Sequence, residues 1–170
     1  LNYSEEDVKR LRQELLSCTV ENKAKDAQLL ALYETAGRKA DYEAVYKVLL
    51  KQAALHEVLD LLERDARLGR LNNASIPRMV RNYFLEMCFV IFELARILKK
   101  GGVVVMVNDN VRYNGEEVPV DLILCDFARQ FGLAVEHIWT LPRGKGNSSQ
   151  QMSAHGRQEL RKCSYVWRNA

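Results

Sequence analysis

Apolar residues recur at helical spacing through the first hundred residues and then give way to short, dense apolar runs. Ser4-Glu5-Glu6-Asp7 reads as a helix start, with Ser4 as N-cap and acids in the positively polarised first turn. Val8, Leu11, Leu15 and Leu16 follow at helical intervals. A second helical stretch carries Leu29, Leu30, Leu32 and Tyr33 and stops at Gly37. Asp41 is a cap for a third, whose stripe of Tyr42, Val45, Tyr46, Leu49, Leu50, Ala53, Val58, Leu61 and Leu62 closes near Gly69. The first seventy residues are predicted to be helical, without strands or repeats.

The pattern changes between Arg81 and Asn110. Ser75-Ile76-Pro77 opens a helix, with proline in the first turn where its missing donor costs little. Val80, Phe84, Met87, Cys88, Ile91, Leu94, Ala95 and Leu98 keep the helical period to Gly101-Gly102, and this wide stripe suits packing on a sheet. The run Val103 to Val107 then reads as a strand apolar on both faces, as in a central parallel strand covered on each side. It stops at Asn108-Asp109-Asn110. A loop from Val111 to Val118 holds the turn pair Asn114-Gly115, Pro119 begins another helix, and Gly132 ends it. Leu133 to Leu141 reads as a strand, and a last strand runs from about Lys162 to Trp167. No helix separates these two, so they are expected to be antiparallel. The prediction is an α/β domain whose parallel sheet ends in an antiparallel strand, preceded by a helical segment.

Composition adds limits rather than a function. A chain of 170 residues, 48% hydrophobic and 28% charged, suits a globular protein with a core of its own. The four cysteines are widely spaced with no CxxC pair, which argues against a zinc site or a secreted disulfide framework and favours buried thiols at Cys88 and Cys125. No apolar run approaches membrane-spanning length and no signal peptide is visible, so the expected location is cytoplasmic and no membrane partner is expected. The opening residue, Leu1, raises the expectation of a piece of something longer.

Charge is uneven. From Leu141 to Ala170, Arg143, Lys145, Arg157, Arg161, Lys162 and Arg168 face Glu159 alone. Such a field favours a polyanion, although a solvated basic surface would read the same way.

No catalytic signature stands out on spacing: there is no GxSxG, HExxH, Walker loop or GxGxxG. Gly101-Gly102 precedes a strand, so it is a helix stop and not a phosphate loop. Asn108, Asp109 and Asn110 lie where ligands approach open α/β sheets, beyond a strand's carboxyl end, and would equally serve as a strand cap. The stretch Arg143 to Gln158 combines glycines with Arg143, Lys145 and Arg157 and with Asn147, Ser148, Ser149, Gln150 and Gln151. Positive charge for phosphates and amides for base edges make a nucleic-acid composition, with a polar surface loop as the alternative. Tyr33, Tyr42 and Tyr46 read as packing residues, and His56, with no second ligand at metal spacing, as structural.

From NYFLEMCFVIFELARILKKGGVVVMVNDN onward, the chain resembles the second half of the catalytic domain of S-adenosylmethionine-dependent, site-specific DNA methyltransferases that modify exocyclic amino groups, N4 of cytosine or N6 of adenine. The resemblance rests on Arg96-Leu98-Lys99-Gly101-Gly102, on Gly115-Val118-Pro119-Asp121-Leu124, on Gly132-Leu133 and on the closing Ser164-Tyr165-Val166-Trp167. It covers roughly Pro77 to Arg168.

The resemblance implies a partial Rossmann-like methyltransferase sheet in residues 76–170, with residues 1–75 a helical insertion or arm. It implies double-stranded DNA as partner and S-adenosylmethionine as cofactor of the complete enzyme. It also implies a missing amino-terminal part of the same methyltransferase, because the family's FxGxG-like donor loop and (S/N/D)PP(Y/F/W) motif do not occur here. Pro77, Pro119 and Pro142 are the only prolines, and none is adjacent to another. Catalytic and cofactor-binding residues are therefore expected outside this chain, which should be inactive alone. Asn108, Asp109, Asn110 and the stretch Arg143 to Gln158 are the candidate DNA-facing positions. Two alternatives stay open: a non-catalytic helical interaction module on a degenerate methyltransferase fold, with a dimer through the helices, or an RNA or small-molecule methyltransferase.

Overall fold

The computed structural model describes residues 3–141, 156 and 159–170. Helix α1 (Glu5–Glu14) starts at Ser4, whose hydroxyl accepts from the Asp7 backbone N–H while the Asp7 carboxylate accepts from that of Ser4. This is a reciprocal capping box. Helix α2 (Asp26–Thr35) ends before Gly37, which sits at φ 67°. The expected third helix is two. Helix α3 (Lys39–Lys51) and helix α4 (Ala53–Arg67) are separated at Gln52, whose extended backbone breaks the spiral and whose side chain caps α4 by accepting from Leu55 N–H. Asp41 lies within the first turn of α3 and pairs with Arg38, instead of capping.

Helix α5 (Ile76–Ile97) packs against α3 and α4 on one side. On the other it meets α6 (Val120–Gln130). Tyr33, Val45, Leu49, Leu55 and Leu62 from the early helices join Phe84, Leu85 and Ile91 of α5 in one buried cluster. Tyr42 stacks on Phe89 and Tyr33 lies tilted against the same ring, both at a centroid distance of 5.2 Å, so the tyrosine stripe is packing, as its spacing suggested. The helix stop at Gly101-Gly102 needs both glycines. Gly101 adopts φ 75°, and a Cβ on Gly102 would lie 2.8 Å from the Lys99 carbonyl oxygen.

Strand β1 (Val103–Asp109) follows at once. Strands β2 (Val111–Tyr113) and β3 (Glu116–Val118) form a tight hairpin through Asn114 and Gly115, both at positive φ. Asn-Gly is the pair a two-residue hairpin turn requires. Strand β4 (Leu133–Leu141) comes after α6, and β5 (Lys162–Asn169) lies between β1 and β4, antiparallel to both.

Here the structure departs from expectation. The final strand is antiparallel, but it occupies the centre of the sheet and not its margin. β1 and β4 run in the same direction without pairing, so among the described residues there is no parallel ladder. The architecture is mixed α/β. One face of the sheet, with Val104, Met106, Tyr165, Trp167, Val135 and Ile138, joins the helical core. Buried Tyr165 and Trp167 stack at 5.8 Å, and the Trp167 indole N–H donates to Cys125 Sγ at 3.4 Å. The opposite face of β1 is open, contrary to the expectation of burial on both sides, because no described element packs over it. Among the described residues, no helix is long and apolar enough to cross a membrane.

Candidate functional site at the end of the first strand

Where β1 ends, its Asn108 and Asp109 and the following Asn110 part company. Asn108 points to the helical side and donates its amide N–H to the Tyr83 hydroxyl of α5 at 2.8 Å. Tyr83 thus accepts one hydrogen bond and keeps its own proton to give. Burial raises its pKa, while the bond from Asn108 pulls the other way, and the phenol remains protonated and a donor at neutral pH. Asp109 lies half-exposed across from Lys162, its register partner on β5, with Nζ to Oδ1 at 3.8 Å.

Asn110 is wholly buried. Its backbone N–H donates to Arg161 O at 2.9 Å, and its side-chain amide donates to Glu117 Oε1 at 2.8 Å. Its Oδ1 accepts from Asp121 N–H at the start of α6 at 3.1 Å. The residue therefore pins the hairpin, β5 and the N-terminus of α6 together.

Asn108 and Asp109 line a cavity of about 410 Å³ at this end of the sheet. Met79, Val80 and Phe84 of α5 form one wall, and Val111 and Val118 of the hairpin another. The segment between α1 and α2 contributes Ser17 and the exposed thiol of Cys18. Ser17 is held by its backbone N–H donating to Glu86 Oε2 at 3.1 Å, and its buried hydroxyl has no hydrogen-bond partner among the described residues. The cavity is an apolar slot with a few converging polar groups, within the size range of small-molecule pockets. It assembles no nucleophile with an adjacent base among the described residues.

Arg143, Lys145, Asn147, Ser148, Ser149, Gln150 and Arg157 lie outside the described residues, but the ends of their segment are fixed. Leu141 and Lys162 are register partners, and Lys162 in turn pairs with Asp109, so the connection leaves and returns at the cavity mouth. The return is anchored by Arg161, whose Nε donates to the buried Asp121 carboxylate at 3.0 Å. The Cys163 thiol donates to the same carboxylate at 3.5 Å.

Part of the basic excess is engaged within the fold: Arg161 pairs with Asp121, Lys162 with Asp109 and Arg168 with Glu136. Tyr83, Ser17 and Cys18 escape a reading of the sequence alone. Tyr83 looks like one more member of an apolar stripe, and only the packing of α5 on β1 brings its hydroxyl to Asn108.

Fold and site together define a mixed α/β unit with a ligand-sized cleft at a strand's carboxyl end, the place where open α/β sheets bind their ligands. The similarities narrow the class. The chain is 49% identical over 168 residues to the Type II methyltransferase M.AvaI of Nostoc sp., and equally to that of Anabaena variabilis. It is 41% identical over 167 residues to the Type II methyltransferase M.BsoBI of Geobacillus stearothermophilus. These alignments take in 98–99% of this chain and 33% of each relative, so the chain spans about a third of the proteins it matches. Identity at this level over nearly every residue makes it a homologue of these Type II methyltransferases. No family model matches the chain, and no solved structure matches it.

Proposed function

We propose that the chain supplies the later part of the catalytic domain of a Type II DNA methyltransferase that moves a methyl group from S-adenosylmethionine to an exocyclic amino group of cytosine or adenine. The observation carrying this reading is the near-complete alignment with M.AvaI and M.BsoBI. The cleft at the end of β1 agrees with it.

In this reading the helices of residues 1–75 are an arm that closes one side of the cleft through Ser17 and Cys18. Tyr83, Asn108 and Asp109 line the cleft. The segment holding Arg143, Lys145 and Arg157 faces DNA at its mouth. Enzymes that modify a base draw it out of the duplex into such a pocket, and the apolar walls suit a flat ring.

The methyl donor does not fit the residues present. No FxGxG-like motif occurs in the sequence, and behind β1 the side chain of Asn110 is taken up by Asp121 N–H. Donor binding and the transfer step are therefore assigned to the remaining two thirds of the enzyme.

The test is DNA methylation by the full-length gene product, followed as label transfer from S-adenosylmethionine, together with DNA binding across a salt series. If the three basic residues touch phosphates, the logarithm of affinity should fall by about 0.9 per contact per log of salt. Replacing all three with alanine should flatten the slope by nearly 3. No transfer to DNA, or an unchanged slope, would refute the corresponding part of the reading.

A further inference from the structure

A second concentration of positive charge lies well before the carboxyl-terminal one in the chain. From Arg64 to Arg81, where α4 ends and α5 begins, five arginines stand against Asp65 alone. That carboxylate does little to offset them. It is buried, its Oδ2 accepts from the Asn114 amide at 2.6 Å, and Arg64 and Arg70 approach its Oδ1 only to 3.8 and 3.6 Å. Arg78 commits Nη2 to the Val20 carbonyl at 3.0 Å, and Arg81 pairs with Asp26 at 3.2 Å. Arg67 has neither a hydrogen bond nor an ion pair among the described residues. Arg64, Arg67, Arg70 and Arg78 are exposed, and the first turn of α5 holds no acid to balance them.

Their place in the fold gives this charge a direction. Arg67, Arg78 and Arg81 line one hollow of about 360 Å³ at the junction of α4 and α5, with Glu63 as its acid. The same opening turns of α5 present Met79, Val80 and Tyr83 to the cleft at the end of β1. Hollow and cleft are thus neighbours on two faces of one helix. Lys162, where the connection from β4 returns, lies on the cleft's β5 rim. Basic side chains therefore stand on both sides of the cleft mouth. A duplex that gives up one base has backbone on both sides of the gap. All five residues here are arginines, whose planar, weakly hydrated guanidinium forks match phosphate oxygens.

We infer that Arg64, Arg67, Arg70 and Arg78 form a phosphate-binding surface for the DNA backbone flanking the base at the cleft, on the α5 side of its mouth. The inference rests on the reading of the chain as part of a DNA methyltransferase. It gives the helical arm a second task besides walling the cleft.

DNA binding by the full-length gene product tests it, with a fluorescent duplex of mixed sequence titrated across a salt series. Arg67→Gln combined with Arg78→Gln should flatten the slope of log affinity on log salt by about 1.8, two contacts at about 0.9 each. Arg67→Lys with Arg78→Lys keeps the charge and should restore most of that slope. Lys99→Gln with Lys100→Gln removes as much charge at the other end of the 22-residue α5, roughly 33 Å away, and should leave the slope as it was. An unchanged slope in the arginine-to-glutamine pair would overturn the inference, as would an equal loss in the lysine pair. Because Arg78 also braces Val20, Arg67→Gln is measured alone; it breaks no bond among the described residues and should still cost about 0.9 of slope. No change there would also count against the surface. Methyl transfer with unaltered slopes would refute the surface and leave the activity standing, and flattened slopes without transfer would do the reverse.

Discussion

The amide of Asn108, at the carboxyl end of β1, donates to the hydroxyl of Tyr83 in the middle of α5 at 2.8 Å. This bond ties the strand end to the helix and sets the polar wall of the cleft. It leaves Asn108 Oδ1 as an acceptor beside the Tyr83 proton, a pairing that suits a ring nitrogen next to an amino group.

Tyr83→Phe and Asn108→Ala are therefore expected to lower kcat/KM for DNA methylation by the full-length enzyme roughly tenfold each, the value of one hydrogen bond of about 1.4 kcal/mol. Stability should change by less than about 1 kcal/mol, because the bond is only partly buried. Wild-type rates with both variants would remove the pair from the site.

Asp121 is buried and accepts from Arg161, from the Leu122 backbone N–H and from the Cys163 thiol. Asp121→Ala leaves the Arg161 guanidinium with only its longer contact to Glu117, at 3.8 Å, at the point where the chain re-enters the sheet. Since Arg161 is half-exposed, water recovers part of the loss, and about 2 kcal/mol of destabilisation is expected in urea unfolding. A shift near zero would mean that the pair does not anchor β5.

Glu93 on α5 accepts from the Tyr33 hydroxyl at 2.7 Å and pairs with Arg38 and Arg96. Burial pushes its pKa up, but these bonds outweigh burial and hold the carboxyl below its ordinary 4.5. The unfolded chain then binds more protons than the folded one in the window just below 4.5. Stability from Glu93 is present above that value and fades as pH falls through the lowered folded pKa. Glu93→Gln should be less stable than wild type at pH 7, with the gap closing as the pH falls through and below 4, as measured by thermal unfolding across pH.

The thiols should separate cleanly. Burial pushes Cys88 up to about 12, and it raises Cys125 and Cys163 as well, while Cys18 is exposed at the cleft rim. Because the thiolate is the reactive form, the native 170-residue chain at pH 8 should titrate one fast thiol with a disulfide reagent and all four after denaturation. Two or more fast thiols would contradict the packing around α5 and α6.

The elements themselves were largely legible, because each follows from local chemistry: a capping box at Ser4, glycines at 37, 101 and 132, and the Asn114-Gly115 turn. The break at Gln52 was not, since a polar residue within a continuous apolar stripe carries no stop signal. Strand order was also out of reach. The stretch from about Lys162 to Trp167 could be read as a strand, but nothing local says that it enters between β1 and β4. For the site, Asn108 and Asp109 were expected beyond a strand that stops at Val107, whereas β1 continues through both and they lie at its carboxyl end. The separate fate of Asn110, buried beneath them, depends on contacts with Glu117, Asp121 and Arg161 that only the folded chain brings together.

The placing of β5 has a consequence for how the protein is made. The strand that emerges last from the ribosome among those described here is the one both neighbours need. Until Lys162–Asn169 is synthesised, β1 and β4 have no partner in this sheet, and their apolar side chains wait without a ladder. Such distant pairings form slowly and leave hydrophobic surface exposed in the meantime. Interrupting the message just before Lys162 would thus remove the strand that joins β1 to β4 and leave their apolar side chains prone to aggregation.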